Sequence, residues 1–270
     1  MLKTPAKKAG GGITLAFDSM TGVTLHTGTP GWKVYTISST SAMTRTITAT
    51  VASDTSINIV VCGGGGGAIS FSNNSGGGGG GRFREVQKFI PSSSPTQTFT
   101  CTIPARATGL QVGGTSSITF SVPSIGDISC GGGGCGSYTG GSTSNAPVNG
   151  GSGGGGGATT STAYSGGTGV YKGGSGFVYY GQPITGGGGG AGGNGGNAGA
   201  GVYGVGGLGV STTLAGISLV YTSSYQFCQG GYGQGSSNGT LIGQGGTGIA
   251  SGSPHTTAGG PGAIIIAVPA

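Results

Sequence analysis

The stretch Ser56-Ile57-Asn58-Ile59-Val60-Val61-Cys62, followed without a break by Gly63 to Gly67, decides how this chain is read. Its first half is β-branched and has the length of a strand, and its second half has no side chains at all. Other segments of the first half of the chain repeat the strand signal. Trp32, Val34, Tyr35 and Ile37 form one run. From Thr44 to Val51 the residues alternate: Thr44, Thr46, Thr48 and Thr50 fall on one face, and Arg45, Ile47, Ala49 and Val51 on the other. Such alternation is that of a half-buried strand. Thr98–Ile103 and Ser117–Val122 are further candidates, bounded by Pro91, Pro95, Pro104 and Pro123, as proline bounds strands. At the far end, Ala263–Val268 has the length of a closing strand rather than of a membrane span.

Glycine runs recur at 76–81, 131–134, 153–157 and 186–190, with looser glycine-rich stretches around 192–209 and 229–248. Two readings of such runs are open. They are flexible linkers, or they are extended segments in the three-residue-per-turn polyproline-II geometry, in which six residues span roughly 19 Å. Five linkers in one small chain would be unusual. Without a Cβ, extended segments can pack side by side and exchange backbone hydrogen bonds in several directions. The fragment Gly192-Gly193-Asn194-Gly195-Gly196-Asn197 would then place one side chain per turn on a common face. Collagen does not fit, because the triplets are short and lack proline.

Composition narrows the class. The chain has 270 residues, of which 71 are glycine and 11 are proline. Glycine-rich chains of this kind often signal disorder, but disorder also brings high charge, and only 5% of these residues are charged while 33% are apolar. Glycine disfavours helix by about 1 kcal/mol per site against alanine, and no window repeats every 3.6 residues. The net charge is +6, yet after Asp127 the only charged side chain is Lys172. A nucleic-acid partner is therefore not expected, since phosphates call for clusters of Lys and Arg; Lys3, Lys7 and Lys8, or Arg82, Arg84 and Lys88, come nearest to one. No segment reads as a signal peptide, because Gly10–Gly12 follow the first basic residues where an apolar core would stand. The five cysteines (62, 101, 130, 135 and 228) are odd in number and irregular in spacing. That pattern fits buried free thiols in a protein made in a reducing cytosol. Metal binding is not expected, with His26 and His255 at opposite ends of the chain.

The expected fold is all-β with no substantial helix. Residues 1–12 read as a flexible basic arm, 13–125 as a β-sandwich-like portion, and 126–270 as glycine-rich extended or polyglycine-II layers with the closing strand 263–268. Catalysis is not expected and no cofactor is implied. The acids Asp18, Asp54, Glu85 and Asp127 form no close pair for acid–base work. Gly173-Gly174-Ser175-Gly176 lacks the strand–turn–helix setting of a nucleophile elbow. The glycine runs lack the Gly-Lys-Ser/Thr of a phosphate loop.

The order of these pieces resembles a known group. A strand enters poly-Gly at Ile57–Gly67, and a second run follows at 76–81. Next come Leu110-Gln111-Val112-Gly113-Gly114 and glycine-rich blocks with Tyr insertions. The chain closes on Ala258-Gly259-Gly260-Pro261-Gly262-Ala263-Ile264-Ile265-Ile266. Over roughly residues 44 to 270 this resembles the glycine-rich domains of phage tail-fibre and minor tail proteins and of structural proteins of large DNA viruses. The glycine-rich half is also similar to the fibre-tip adhesins of T-even-like phages, which fold as layered polyglycine-II helices with receptor-contacting loops. Their fibre-attachment domain has no recognisable counterpart in residues 1–60. The resemblance implies a non-enzymatic virion protein, part of a capsid accessory, spike or fibre, present in several copies beside other virion proteins. Alternatively it implies an adhesin that meets a host surface receptor. In the adhesin case the contacts would be Tyr164, Tyr171, Tyr179, Tyr180, Tyr221, Tyr225 and Tyr232, with Phe177 and Phe227. Tyr gives rigid contact area at low entropy cost. The same rings could instead cover the glycine layers in place of an ordinary core.

Overall fold

The structure is a computed structural model that describes residues 12–70, 75–136, 151–235, 237–248 and 255–270. Of the basic arm read over 1–12, only Gly12 falls within them, its carbonyl accepting a hydrogen bond from Ala52; Lys3, Lys7 and Lys8 lie outside the described residues.

Two five-stranded antiparallel sheets carry the alternating and apolar runs. The first has the order β1 (Ile13–Phe17), β4 (Met43–Val51), β8 (Thr96–Ile103), β9 (Ser116–Phe120), β10 (Ile128–Cys130). The second has β2 (Val23–His26), β3 (Trp32–Ser38), β14 (Ala263–Pro269), β5 (Thr55–Cys62), β7 (Phe83–Ile90). Their facing side chains, among them Ile47, Phe99 and Ile118 from one sheet and Ile37, Ile59 and Ile264 from the other, make one buried cluster. This is a β-sandwich, and the chain is all-β as its composition requires. Single short turns of helix occur at Pro123–Ile125 and Ile217–Val220.

The two sheets differ in a way their sequences foretell. β4 alternates because only one of its faces is covered: Ile47, Ala49 and Val51 are buried and Thr48 and Thr50 are exposed. β14 is apolar throughout, and β5 is apolar over Ile59–Cys62, because their sheet is covered twice. On its outer face Val60, Cys62, Ala263 and Ile265 pack against Ile217, Phe227, Cys228 and Ile242 of the glycine-rich part. The last strand is also central, with Ile265 opposite Thr36 of β3 and Val60 of β5. Two small antiparallel pairs complete the strands: β6 (Ala68–Ser70) with β13 (His255–Thr257), and β11 (Phe177–Tyr179) with β12 (Gln182–Ile184).

The sheets run end-on into the glycine segments. Cys62 of β5 continues as Gly63, Cys130 of β10 as Gly131, and Gly81 and Gly262 lead into the segments that form β7 and β14. Every residue of the five runs is buried. Within a run, hydrogen bonds repeat every third residue. Gly77 and Gly80 donate to the carbonyls of Gly186 and Gly189, and Gly78 and Gly81 to those of Gly246 and Gly243. Gly79 donates to Gly134 and accepts from Gly66, while Gly77 and Gly80 accept from Gly155 and Ser152, and Gly78 from Gly231. The run 76–81 is thus bonded to six neighbours: segments 63–67, 131–134, 152–155, 186–190, 230–231 and 243–246. The run 186–190 is likewise bonded on all sides, to segments at 77–80, 153–156, 174, 196, 207 and 231. Three residues per turn with hydrogen bonds radiating to a ring of neighbours is polyglycine-II packing. The linker reading is therefore replaced by an ordered lattice, and runs from both sides of residue 126 share it.

Space, not backbone flexibility, imposes glycine in this lattice. No glycine of the five runs has a positive φ. A Cβ on Gly78 would lie 2.1 Å from the Gly66 oxygen, one on Gly188 2.0 Å from the Gly78 oxygen, and one on Gly155 2.2 Å from the Gly186 oxygen. At these positions neighbouring chains pass too closely for any side chain.

Candidate contact surface

Side chains reappear where the lattice meets solvent. Along 192–198, Gly195 and Ala198 donate to the Lys172 and Ser175 carbonyls. At the alternate positions Asn194 and Asn197 turn outward and accept from the Lys172 and Ser175 N–H groups at 2.8 Å. Two amides three residues apart thus serve two donors three residues apart, and the triplet spacing read from Gly192–Asn197 is the spacing the fold uses. On the next segment Val202, Val205 and Leu208 repeat the same period and are 63%, 59% and 66% exposed. They form an apolar row on the outer layer that sequence reasoning missed; its signal was the same three-residue spacing in apolar rather than polar residues.

The aromatic candidates divide into two groups. Tyr221 and Tyr225 lie against Phe227, with ring centroids 5.1 and 4.7 Å away, and Phe227 is fully buried over the outer face of the second sheet. The Tyr221 hydroxyl is 2.9 Å from Thr36 Oγ1, which is itself 2.9 Å from His26 Nε2. The Tyr225 hydroxyl accepts from the Ile242 N–H, and burial pushes its pKa up to about 12. These three rings cover the sheet, as a core would. Trp32 packs against the same cluster. Tyr164 and Tyr171 are half-buried, and their carbonyls accept lattice hydrogen bonds from Gly176 and Gly153.

Tyr179, Tyr180 and Tyr232 face outward. Tyr180 and Gly181 are the two loop residues of the β11–β12 hairpin, with φ of +47° and +72°. Positive φ at both positions is the turn that matches strand twist, and Asn-Gly is its usual occupant. A bulky residue there carries roughly 1–3 kcal/mol of local strain. Tyr180 is nevertheless 88% exposed, and its ring stands edge-on to Tyr179 with centroids 4.5 Å apart. Phe177, 39% exposed, lies at the other end of β11. A cavity of about 240 Å³ lies elsewhere, between Arg82, Phe83, Tyr171, Ala191 and Val210.

The outer face of the first sheet is a field of hydroxyls. Register places Thr44 opposite Thr102, Thr46 opposite Thr100, Thr48 opposite Thr98 and Thr50 opposite Thr96. The ladder on β4 was legible in the sequence; its partner ladder on β8 was not, because pairing was needed to set the two side by side.

The ionisable groups have structural tasks. Asp18 accepts from the Thr46 N–H, Asp54 from the Ser92 N–H and hydroxyl, Glu85 from the Thr212 hydroxyl and Asp127 from the Phe120 N–H. Arg106 donates to the Gly239 and Gly259 carbonyls at the lattice end, and Lys88 ties β7 to the carbonyls of Ile125 and Gly126. All five cysteines are buried, and none is in a disulfide. Burial pushes Cys101 and Cys130 up to about 12 and Cys135 up to about 11. Among the described residues no three His, Cys, Asp or Glu side chains are grouped to hold a metal, and no helix is long and apolar enough to cross a membrane.

A family model described as a glycine-rich domain matches residues 39–269, which takes in the strands from β4 to β14 and the lattice. No curated protein and no solved structure matches the chain.

Proposed function

The chain belongs to the glycine-rich domain family, and from that premise we propose that it is a non-enzymatic structural protein of a virus particle, part of a capsid accessory, spike or fibre. The observation that carries the reading is the lattice itself. A run such as 76–81, bonded through its backbone to six neighbours, has no mobile side chains and no charge to offer a substrate. Its value is mechanical: many main-chain bonds per unit volume in a small, rigid body. The order of strand, poly-Gly, Tyr-bearing blocks and a glycine-led last strand supports the viral setting by resemblance. Almost no charge follows Asp127, so partners there are other virion proteins met through apolar and backbone groups. Exposed Val202, Val205 and Leu208 suit such a neighbour. Mass spectrometry and electron cryomicroscopy of purified particles test this: several copies at a defined position are expected. Abundance in infected cells with none in particles would overturn it.

One observation favours an adhesin as a second reading. The β11–β12 hairpin holds Tyr180 exposed at positive φ and edge-on to Tyr179, and strained exposed residues concentrate at contact sites. Purified protein should then bind host cells and compete with infection, and Tyr179→Ala with Tyr180→Ala should abolish both. Equal binding by the double variant would remove this reading.

A further inference from the structure

Two of the buried thiols, one from the sandwich and one from the glycine-rich part, lie in one cluster at the seam between sandwich and lattice. Cys62 ends β5 on the outer face of the second sheet, opposite Phe83 and Ala263. Cys228 comes from the glycine-rich part and packs in the same buried cluster. Its Sγ lies 3.6 Å from the Arg82 carbonyl, which also accepts from Gly63, the residue after Cys62. Burial first, and the neighbouring Cys228 second, push the Cys62 thiol up. Cys130 is near but belongs to the core between the sheets. The turn Ile242–Gln244 packs on Cys228. Gly243 sits at φ +69° in the turn beyond Ile242, and a Cβ there would lie 2.5 Å from the Cys228 Sγ. That turn is held by bonds from Cys228 N–H to the Ile242 carbonyl and from Gly243 N–H to the Pro261 carbonyl.

We propose that Cys62 and Cys228 are a latent cross-link: a reduced pair that a small disulfide, such as glutathione disulfide, converts to a bond stapling the sandwich to the lattice. The chemistry balances. One thiol, deprotonated, attacks the oxidant and releases one glutathione as a mixed disulfide forms. The second thiol, deprotonated in turn, displaces the other glutathione, so two cysteines are oxidised and one disulfide is reduced to two thiols. Burial holds the Cys62 thiol well above its ordinary pKa, so the pair is inert while covered and reacts when the Ile242–Gln244 turn opens. A protein made in a reducing compartment and later exposed to an oxidising one would thus gain the staple after folding. The cross-link closes a loop over more than half the chain, and long loops gain most. The inference does not depend on the viral reading.

The full chain, held in excess glutathione disulfide, then alkylated under denaturing conditions and mapped by mass spectrometry, tests it. The expected result is loss of two alkylatable thiols, a linked peptide containing Cys62 and Cys228, and a Tm higher by roughly 10 °C that dithiothreitol reverses. Cys228→Ala should show no Tm difference between oxidised and reduced samples. Retention of all five thiols, linkage through Cys130, or glutathione adducts that never resolve would overturn the proposal, as would a Tm gain in Cys228→Ala.

Discussion

The sandwich and the lattice solve the same problem with opposite materials. Between the sheets, Phe99, Ile47, Ile59 and Ile264 bury apolar area, and the backbone is kept at the distance set by side chains. In the lattice the runs at 63–67, 76–81 and 186–190 are also buried, yet there is no apolar side chain to bury. Their neighbours approach until a Cβ would sit about as close to a carbonyl as a hydrogen bond's hydrogen does: 2.1 Å at Gly66 and Gly78. Glycine costs the most backbone entropy on ordering. The lattice offsets that cost with bonds to several neighbours per run, where a strand has two. Core residues of the sandwich therefore tolerate change in proportion to volume, and lattice residues such as Gly78 and Gly188, where a Cβ would meet backbone at 2.1 and 2.0 Å, tolerate none.

The sharpest way to break this contrast is to add one methyl to the lattice and delete one ring from the sandwich. Gly78→Ala puts a Cβ 2.1 Å from the Gly66 oxygen, with backbone on both sides, and is expected to cost more than about 4 kcal/mol in denaturant titration or to prevent folding. Phe99→Ala removes a fully buried ring and is expected to cost about 3–5 kcal/mol. If the alanine at 78 is cheap, the lattice is not close-packed. At the rim the effects shrink. Asn197→Ala removes the acceptor of the Ser175 N–H on an exposed face and should cost about 1 kcal/mol, with faster exchange of the Ser175 amide. Burial lowers the His26 pKa, so the unfolded chain binds a proton more readily than the folded one. Stability should be unaffected above the ordinary His range and decline as pH falls through 6.5 toward the lowered folded value. His26→Gln should flatten that part of the pH profile, and an unchanged slope would assign the decline to other groups. The smallest effect is expected at Gly199, where an added Cβ meets nothing within 4 Å: Gly199→Ala should stay within about 0.5 kcal/mol of the parent. Together, positions 78 and 199 show that the demand for glycine follows proximity rather than composition.

Much of the sandwich was legible because side chains record their surroundings. The Thr/Ile alternation of β4 gave a strand with one wet face, and the short apolar run of β14 gave a closing strand. The pairing partners were not legible. Nothing in Ala263–Val268 says that it inserts between β3 and β5, two segments some 200 residues earlier. In the lattice, glycine records only that something is close, not what. The period in Asn194 and Asn197 could be read, whereas the six neighbours of run 76–81 could not, since identical residues encode no pairing. The tyrosines illustrate the same limit at the candidate site. Sequence grouped Tyr221 and Tyr225 with Tyr179 and Tyr180, because one residue type serves both packing and contact. Structure separates them: the first two lie on Phe227, and the last two stand at a hairpin tip whose Tyr-Gly turn is not the usual Asn-Gly signal.

Native-state amide exchange, resolved by residue, tests the backbone lattice most directly. The amides of Gly77 to Gly81, each donating to a named carbonyl, should be as slow as those of Ile264, Ile265 and Ile266 at the centre of the second sheet. Exchange of the glycine amides at the rate of an unstructured peptide, while the sheet stays protected, would mean that the runs are tethers and that the sandwich stands alone.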